Sequence, residues 1–197
     1  MANKLILGLT GFMKAGKTTS AKYLEERYGA IIFRNSALLE ATLKLWDLPL
    51  DRDHYSELCR AMMRWKGQGI IATTNYTAIR RAVDSQERED GHALVVIDGI
   101  RMPGGLQVLH TMDEFKLAVV RATFDGRYQR MLQNPEKDDE VRGMSKARFL
   151  TKHLIWAERR TLWCMLQADT EVQNYGWKDE LHDRLDVMME RYGFPRL

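Results

Sequence analysis

Gly11-Phe12-Met13-Lys14-Ala15-Gly16-Lys17-Thr18 decides the fold. The stretch has the spacing G-x-x-x-x-G-K-[ST], a loop whose backbone N–H groups wrap a phosphate chain. An apolar run, Leu5–Leu9, comes before it, and a helix-like stretch, Thr18–Tyr28, follows and is closed by Gly29. The order strand, glycine-rich loop, helix is the context this loop requires. The helix N-terminus adds the positive end of its dipole and unpaired N–H donors. Gly11 and Gly16 permit backbone conformations that a Cβ would block. Lys17 is expected to reach the β- and γ-phosphates, and the Thr18 hydroxyl to ligate Mg²⁺. Gly11 to Thr19, with Phe12, Met13, Lys14, Ala15 and Gly16 between, is therefore the expected binding stretch for ATP or a similar triphosphate. What receives the phosphoryl group is a separate question.

Composition sets the frame. The chain has 197 residues, 45% hydrophobic and 29% charged, with net charge +3. These values suit a single globular domain over 1–197. No apolar run approaches the roughly 20 residues of a membrane span, so no membrane partner is expected. Met1-Ala2-Asn3-Lys4 leads straight into the first strand and leaves no room for a signal peptide, so a cytoplasmic location is expected. Cys59 and Cys164 are far apart and lack a C-x-x-C pattern, which reads as two free thiols. The five histidines show no metal-ligand spacing.

Strands alternate with helices along the rest of the chain. Ala30–Phe33 reads as a second strand. Ser36–Trp46 reads as a helix with Ser36 as N-cap, and Asp51 opens another through about Trp65. Ile70–Arg88 reads as helix. Ala93–Ile97 is a continuous apolar run, the mark of a strand buried on both faces. Arg101–Gly105 reads as a loop, Leu106–Met112 as a short helix and Phe115–Thr123 as a strand. Arg127–Gln133 and Lys146–Gln167 read as helices, Thr170–Gln173 as a strand and Lys178–Tyr192 as the closing helix. The pattern predicts an α/β fold, a parallel sheet with helices on both faces.

Several residues could carry chemistry. Asp98 stands at the tip of the buried strand Val95–Asp98, where a carboxylate can hold Mg²⁺ directly or through water. Arg101, three residues on, could take a substrate phosphate in a bidentate pair. Arg127 and Arg130 lie one helical turn apart and so share a face. They could stabilise the phosphoryl group in transfer, which needs positioning and charge neutralisation more than covalent chemistry. The charged stretch about 134–145 reads as a lid that would exclude water. Between the second and third strands, about 36–90, lie Arg60, Arg64, Lys66, Arg80 and Arg81 with Trp46, Tyr55, Trp65 and Tyr76; Arg34 stands just before them. Basic and aromatic residues together suit a nucleotide or an exposed base. Amphipathic helices with the rings inward and the arginines outward would show the same pattern. Arg34, Ser36, Arg64 and Arg101 are the candidate acceptor contacts. Met62, Met63, Met188 and Met189 read as core filler.

Together these stretches resemble the nucleoside monophosphate kinase branch of the P-loop kinases, especially phage deoxynucleoside monophosphate kinases and dephospho-CoA kinase-like proteins. Val96-Ile97-Asp98-Gly99-Ile100-Arg101-Met102-Pro103-Gly104 is similar to that group's V-I-D-G-I-R-x-P-G stretch. Arg127 and Arg130 fit its pair after the fourth strand. Ala168-Asp169 through Asn174-Tyr175-Gly176 to Glu180-Leu181 fits its closing pattern. The resemblance implies a P-loop NTPase fold: a three-layer sandwich with a five-stranded parallel sheet in the order 2-3-1-4-5. It implies a substrate-binding segment after strand two, a lid after strand four, ATP and Mg²⁺ as cofactors, and Asn174 and Gly176 near the adenine. Two stretches depart from the group. Phe33-Arg34-Asn35-Ser36 lacks the usual Asp after strand two, with no carboxylate until Glu40, and Lys152-His153, then Trp156 and Glu158, stand where relatives carry Arg-Asp with a Glu one turn on.

Three functions follow. The first is transfer of the γ-phosphoryl group of ATP to a (deoxy)nucleoside monophosphate by a monomer or homodimer. The second is phosphorylation of another acceptor: dephospho-CoA, or a hydroxymethylated pyrimidine in phage DNA, which would make nucleic acid a partner and Asp98 the base. The third is a non-catalytic P-loop switch, which ranks last; the chain has no N-K-x-D stretch for guanine.

Overall fold

A computed structural model describes residues 3–86, 91–133, 144–152 and 156–197, except the side chains of Arg52 and Lys152. Five parallel strands form one sheet in the order β2-β3-β1-β4-β5. They are β1 (Lys4–Thr10), β2 (Ile31–Arg34), β3 (Ala93–Ile100), β4 (Phe115–Arg121) and β5 (Thr170–Gln173). The strand order agrees with the expectation.

β1 is central because it is apolar on both faces. Leu5, Leu7 and Leu9 pack on one side with α1 (Lys17–Tyr28) and α9 (Lys178–Arg191). Ile6 packs on the other with α4 (Ile70–Ser85), α5 (Pro103–Leu109) and Cys164 of α8 (Trp156–Met165). Such a strand needs helices on both sides, and the period of two sorts its side chains between the layers. A third apolar cluster lies beyond the β2 edge. It joins α2 (Ser36–Leu45) to α3 (Arg52–Lys66) through Leu39, Leu43, Leu58, Cys59 and Met63.

The structure corrects several sequence expectations. β3 runs two residues past Asp98, to Ile100. α5 starts at Pro103, where a loop was expected. Proline's fixed φ and missing N–H suit a first helical turn, and this outweighs the two glycines that follow. Ser36 is the first residue of α2, after Asn35, and caps nothing. α4 ends at Ser85. α6 (Phe124–Gln133) begins three residues before Arg127. Lys146–Gln167 is described as α7 (Lys146–Lys152) and α8, with 153–155 outside the described residues. Most of the expected lid, 134–143, also lies outside them. No described helix is long and apolar enough to cross a membrane.

Candidate active site

The parallel sheet places the C-terminal ends of β1, β2 and β3 side by side, and one cleft of about 980 Å³ runs across them. At the β1 end is the loop Gly11–Thr18. Gly11 has φ 144° and Gly16 φ 107°, conformations that favour glycine. Space is short as well: a Cβ on Gly11 would come within 2.5 Å of the Val120 carbonyl oxygen. On Gly16 it would run into the Asn174 amide. The loop is thus held tight from behind.

Lys17 is buried, and its Nζ donates to the carbonyls of Gly11 and Phe12, at 2.9 Å each. Its ammonium stands at the centre of the loop's curl. The Thr18 hydroxyl donates to Asp98 Oδ2 at 2.7 Å. A hydroxyl and a carboxylate this close, beside a curled N–H loop, form a donor set that fits a magnesium–triphosphate ligand. No group of three or more His, Cys, Asp or Glu among the described residues could hold a metal without such a ligand.

Both members of the Arg pair are engaged by the protein itself. Arg127 is buried, its guanidinium 5.0 Å from the Phe12 ring centre, 5.8 Å from that of Phe124 and 6.0 Å from that of Phe149. Burial lowers its pKa, and the Glu158 carboxylate opposes that. Arg130 lines the cleft but donates to Asn174 through Oδ1 at 2.9 Å and the carbonyl at 2.8 Å. Burial lowers its pKa too. Asn174 in turn donates to the Ala15 carbonyl at 2.8 Å. Arg130, Asn174 and the loop therefore form one braced unit. Asn174 sits behind the loop, and neither it nor Gly176 lines the cleft. Gly176 instead rests against the Glu180 carboxylate.

At the β2 end the cleft is lined by Arg34, Ser36 and Glu40, the rings of Tyr55 and Trp156, and Arg101. Burial and the nearby Glu40 carboxylate raise the Tyr55 pKa. Arg64 does not line the cleft. α3 turns Leu58, Cys59 and Met63 into the third apolar cluster, so the helical period points Arg64 to solvent. The separation of rings inward from arginines outward also fails at Trp46 and Trp65, which are 59% and 78% exposed.

Glu158 is the residue that sequence reasoning missed as a site. It is fully buried on α8. Its Oε1 accepts from Arg101 Nη1 at 2.5 Å, and its Oε2 from the Met13 N–H at 3.2 Å. A buried carboxylate is tolerable only when paired in this way. It ties Arg101 to the loop Gly11–Thr18 and fixes one edge of the guanidinium, while Arg101 stays about a third exposed toward the cleft. One signal was legible: Glu158, Thr161 and Met165 are buried at helical spacing, a lone acid on an inward face.

No curated protein matches the chain. Among solved structures, shikimate kinase from Bacteroides thetaiotaomicron is similar at TM-score 0.60 and 13% identity, over 96% of this chain and 99% of that one. A gluconokinase from Sinorhizobium meliloti is similar at TM-score 0.53 and 12% identity, over 97% of both chains. Both neighbours are phosphotransferases by name, and at these identities they show the shared P-loop NTPase fold. A family model described as an AAA domain matches residues 7–151, from within β1 to within α7. With the loop, Asp98 and strands β2, β3 and β4 in that span, which is most of the chain, the chain belongs to this AAA domain family, AAA_18.

Proposed function

We propose that the chain is an ATP-dependent kinase that transfers the γ-phosphoryl group to a (deoxy)nucleoside monophosphate. One observation carries this reading: a single cleft joins the phosphate loop at one end to Arg34, Ser36 and Arg101 at the other. A hydrolase or switch needs only the first end. Lys17, released from the Gly11 and Phe12 carbonyls, would neutralise charge on the transferred group. Thr18 and Asp98 would hold Mg²⁺, which supplies charge neutralisation across the phosphates when bound. Arg101, steadied by Glu158, would hold the acceptor phosphate. An acceptor phosphate is already an anion and needs no strong base, which suits a stretch without a carboxylate at Arg34-Asn35-Ser36. Tyr55 and Trp156 offer ring faces to an acceptor base.

The test is one panel: purified protein, Mg²⁺ and γ-labelled ATP with each nucleoside monophosphate, dephospho-CoA, and plain or hydroxymethylated DNA. Label is expected on one or more deoxynucleoside monophosphates. Label on dephospho-CoA or DNA alone would replace the mononucleotide reading. Label on no acceptor would overturn the kinase reading.

A further inference from the structure

The acceptor end of the cleft does not stop at Trp156. α3 and α8 come together at its rim and continue it outward as a basic and aromatic shelf. Ser56 lines the cleft, and Arg60 and Arg64 follow at i+4 and i+8, one row running about 12 Å along α3. On α8, Arg159 and Arg160 stand one turn past Trp156, on the same face. Contacts join the two helices. The Arg160 guanidinium lies 4.6 Å from the Trp156 ring centre, and that of Arg60 5.8 Å. Arg160 also donates to Gln68, just past α3, at 2.9 Å. Beyond Arg64 the shelf ends in Trp65, 78% exposed, with the Lys66 ammonium 4.4 Å from its ring centre. Of the acids of α3, Glu57 lies one turn before Arg60 and Asp53 two turns before it on the same exposed face, so the row begins acidic and turns basic toward its C-terminal end.

We propose that this shelf binds single-stranded nucleic acid. Cations in a row track a phosphodiester backbone, and an exposed indole such as Trp65 stacks an unpaired base of any sequence, while the half-buried Trp156 ring is already faced by Arg60 and Arg160. A duplex hides those base faces, so the rings favour a single strand. The strand would run from Trp65 along the Arg64–Arg60 row and end with one nucleotide at the cleft rim beside Trp156. Only that last nucleotide would meet the acceptor end proposed above; the contacts at Trp65, Arg64 and Arg60 lie outside the cleft lining and do not depend on which group accepts the phosphoryl.

The test is fluorescence anisotropy with labelled oligo(dT), and with the same label on duplex DNA, polyglutamate and phosphatidylserine vesicles. The single strand is expected to bind tightest, with log affinity falling against log salt by roughly 0.7 per phosphate contact. Arg64→Glu should weaken binding and flatten that slope. Trp65→Ala should weaken it about fivefold or more, and Trp65→Phe should restore most of it. Arg191→Glu, on α9 at the far face of the sheet, should leave it unchanged. Affinity for a non-hydrolysable ATP analogue should be the same in all four variants. The proposal is overturned by no binding at low salt, by Arg64→Glu and Trp65→Ala binding like the parent, or by equal or tighter binding to duplex, polyglutamate or vesicles.

Discussion

The two ends of the cleft are built differently. At the donor end a few consecutive residues make the whole cradle, and buried braces hold it: Asn174 on the Ala15 carbonyl, Arg130 on Asn174, Glu158 on the Met13 N–H. At the proposed acceptor end the lining comes from β2, α2, α3, α4, α5 and α8, over a separate apolar cluster. Arg34 and Ser36 there are exposed. A phosphate chain is the same in every nucleotide, so its cradle can be short and rigid. An acceptor must be distinguished from its competitors, and that needs surface gathered from many elements.

Glu158 bridges the two ends, so its loss should have the largest effect. Glu158→Ala leaves the Arg101 guanidinium and the Met13 N–H without their partner and should cost about 3–5 kcal/mol of stability, read by denaturant unfolding. Glu158→Gln keeps the shape and an acceptor oxygen. It should fold and raise KM for the acceptor more than for ATP; a rise in KM for ATP alone would place Glu158 wholly with the donor end. Lys17→Ala acts on the donor end alone. Transfer should fall on the order of 10²–10³-fold, with helix content unchanged by circular dichroism. Retained turnover would show that the loop is not where chemistry happens.

The scaffold behind the donor end carries a pH signature. The phenol of Tyr28, which closes α1, donates to Asp186 on α9 at 2.6 Å, and burial with that bond raises its pKa from 10.0 to about 12. The folded state therefore holds the proton more tightly than the unfolded chain. The stabilisation is complete below pH 10 and should be lost as pH rises through about 12, at most about 2–3 kcal/mol in denaturant midpoints. Tyr28→Phe should flatten that loss. The smallest effect belongs to the acceptor end. Arg34→Ala removes an exposed side chain and a loose 3.9 Å pair with Glu40. Stability should move by less than about 0.5 kcal/mol, while KM for the acceptor rises. A rise in KM for ATP instead would erase the distinction between the two ends.

Legibility in the sequence follows the same division. The loop, β1 and β3 are local patterns, and each came out as a tight turn or a buried strand because consecutive residues specify these, although β3 runs on to Ile100 and so holds Asp98 within it. The start of α5 was missed because Gly104 and Gly105 outweighed Pro103 in the reading. Arg127 and Arg130 were read as sharing a face, which holds. What that face meets, an aromatic cage for one and Asn174 for the other, depends on Phe12, Phe149 and β5 arriving from elsewhere in the chain. That the Asn174 amide braces the loop by donating to the Ala15 carbonyl was not legible in the sequence, because the two residues lie 159 positions apart. Arg64 was expected at the acceptor and lies on the shelf beyond it.

The sequence by itself determined the phosphate loop, the buried strand before it, the acid Asp98 on a second buried strand and the parallel α/β class, because spacing along a few residues specifies each of them. The tertiary structure alone decided that Glu158 lies under the loop, 145 positions from the Met13 N–H it accepts from. It also decided that Arg60 and Arg160 converge on Trp156. The physical reason is that a buried charge or a shared ring is satisfied by whatever packing brings near. No local rule of period or propensity records which distant residue that will be.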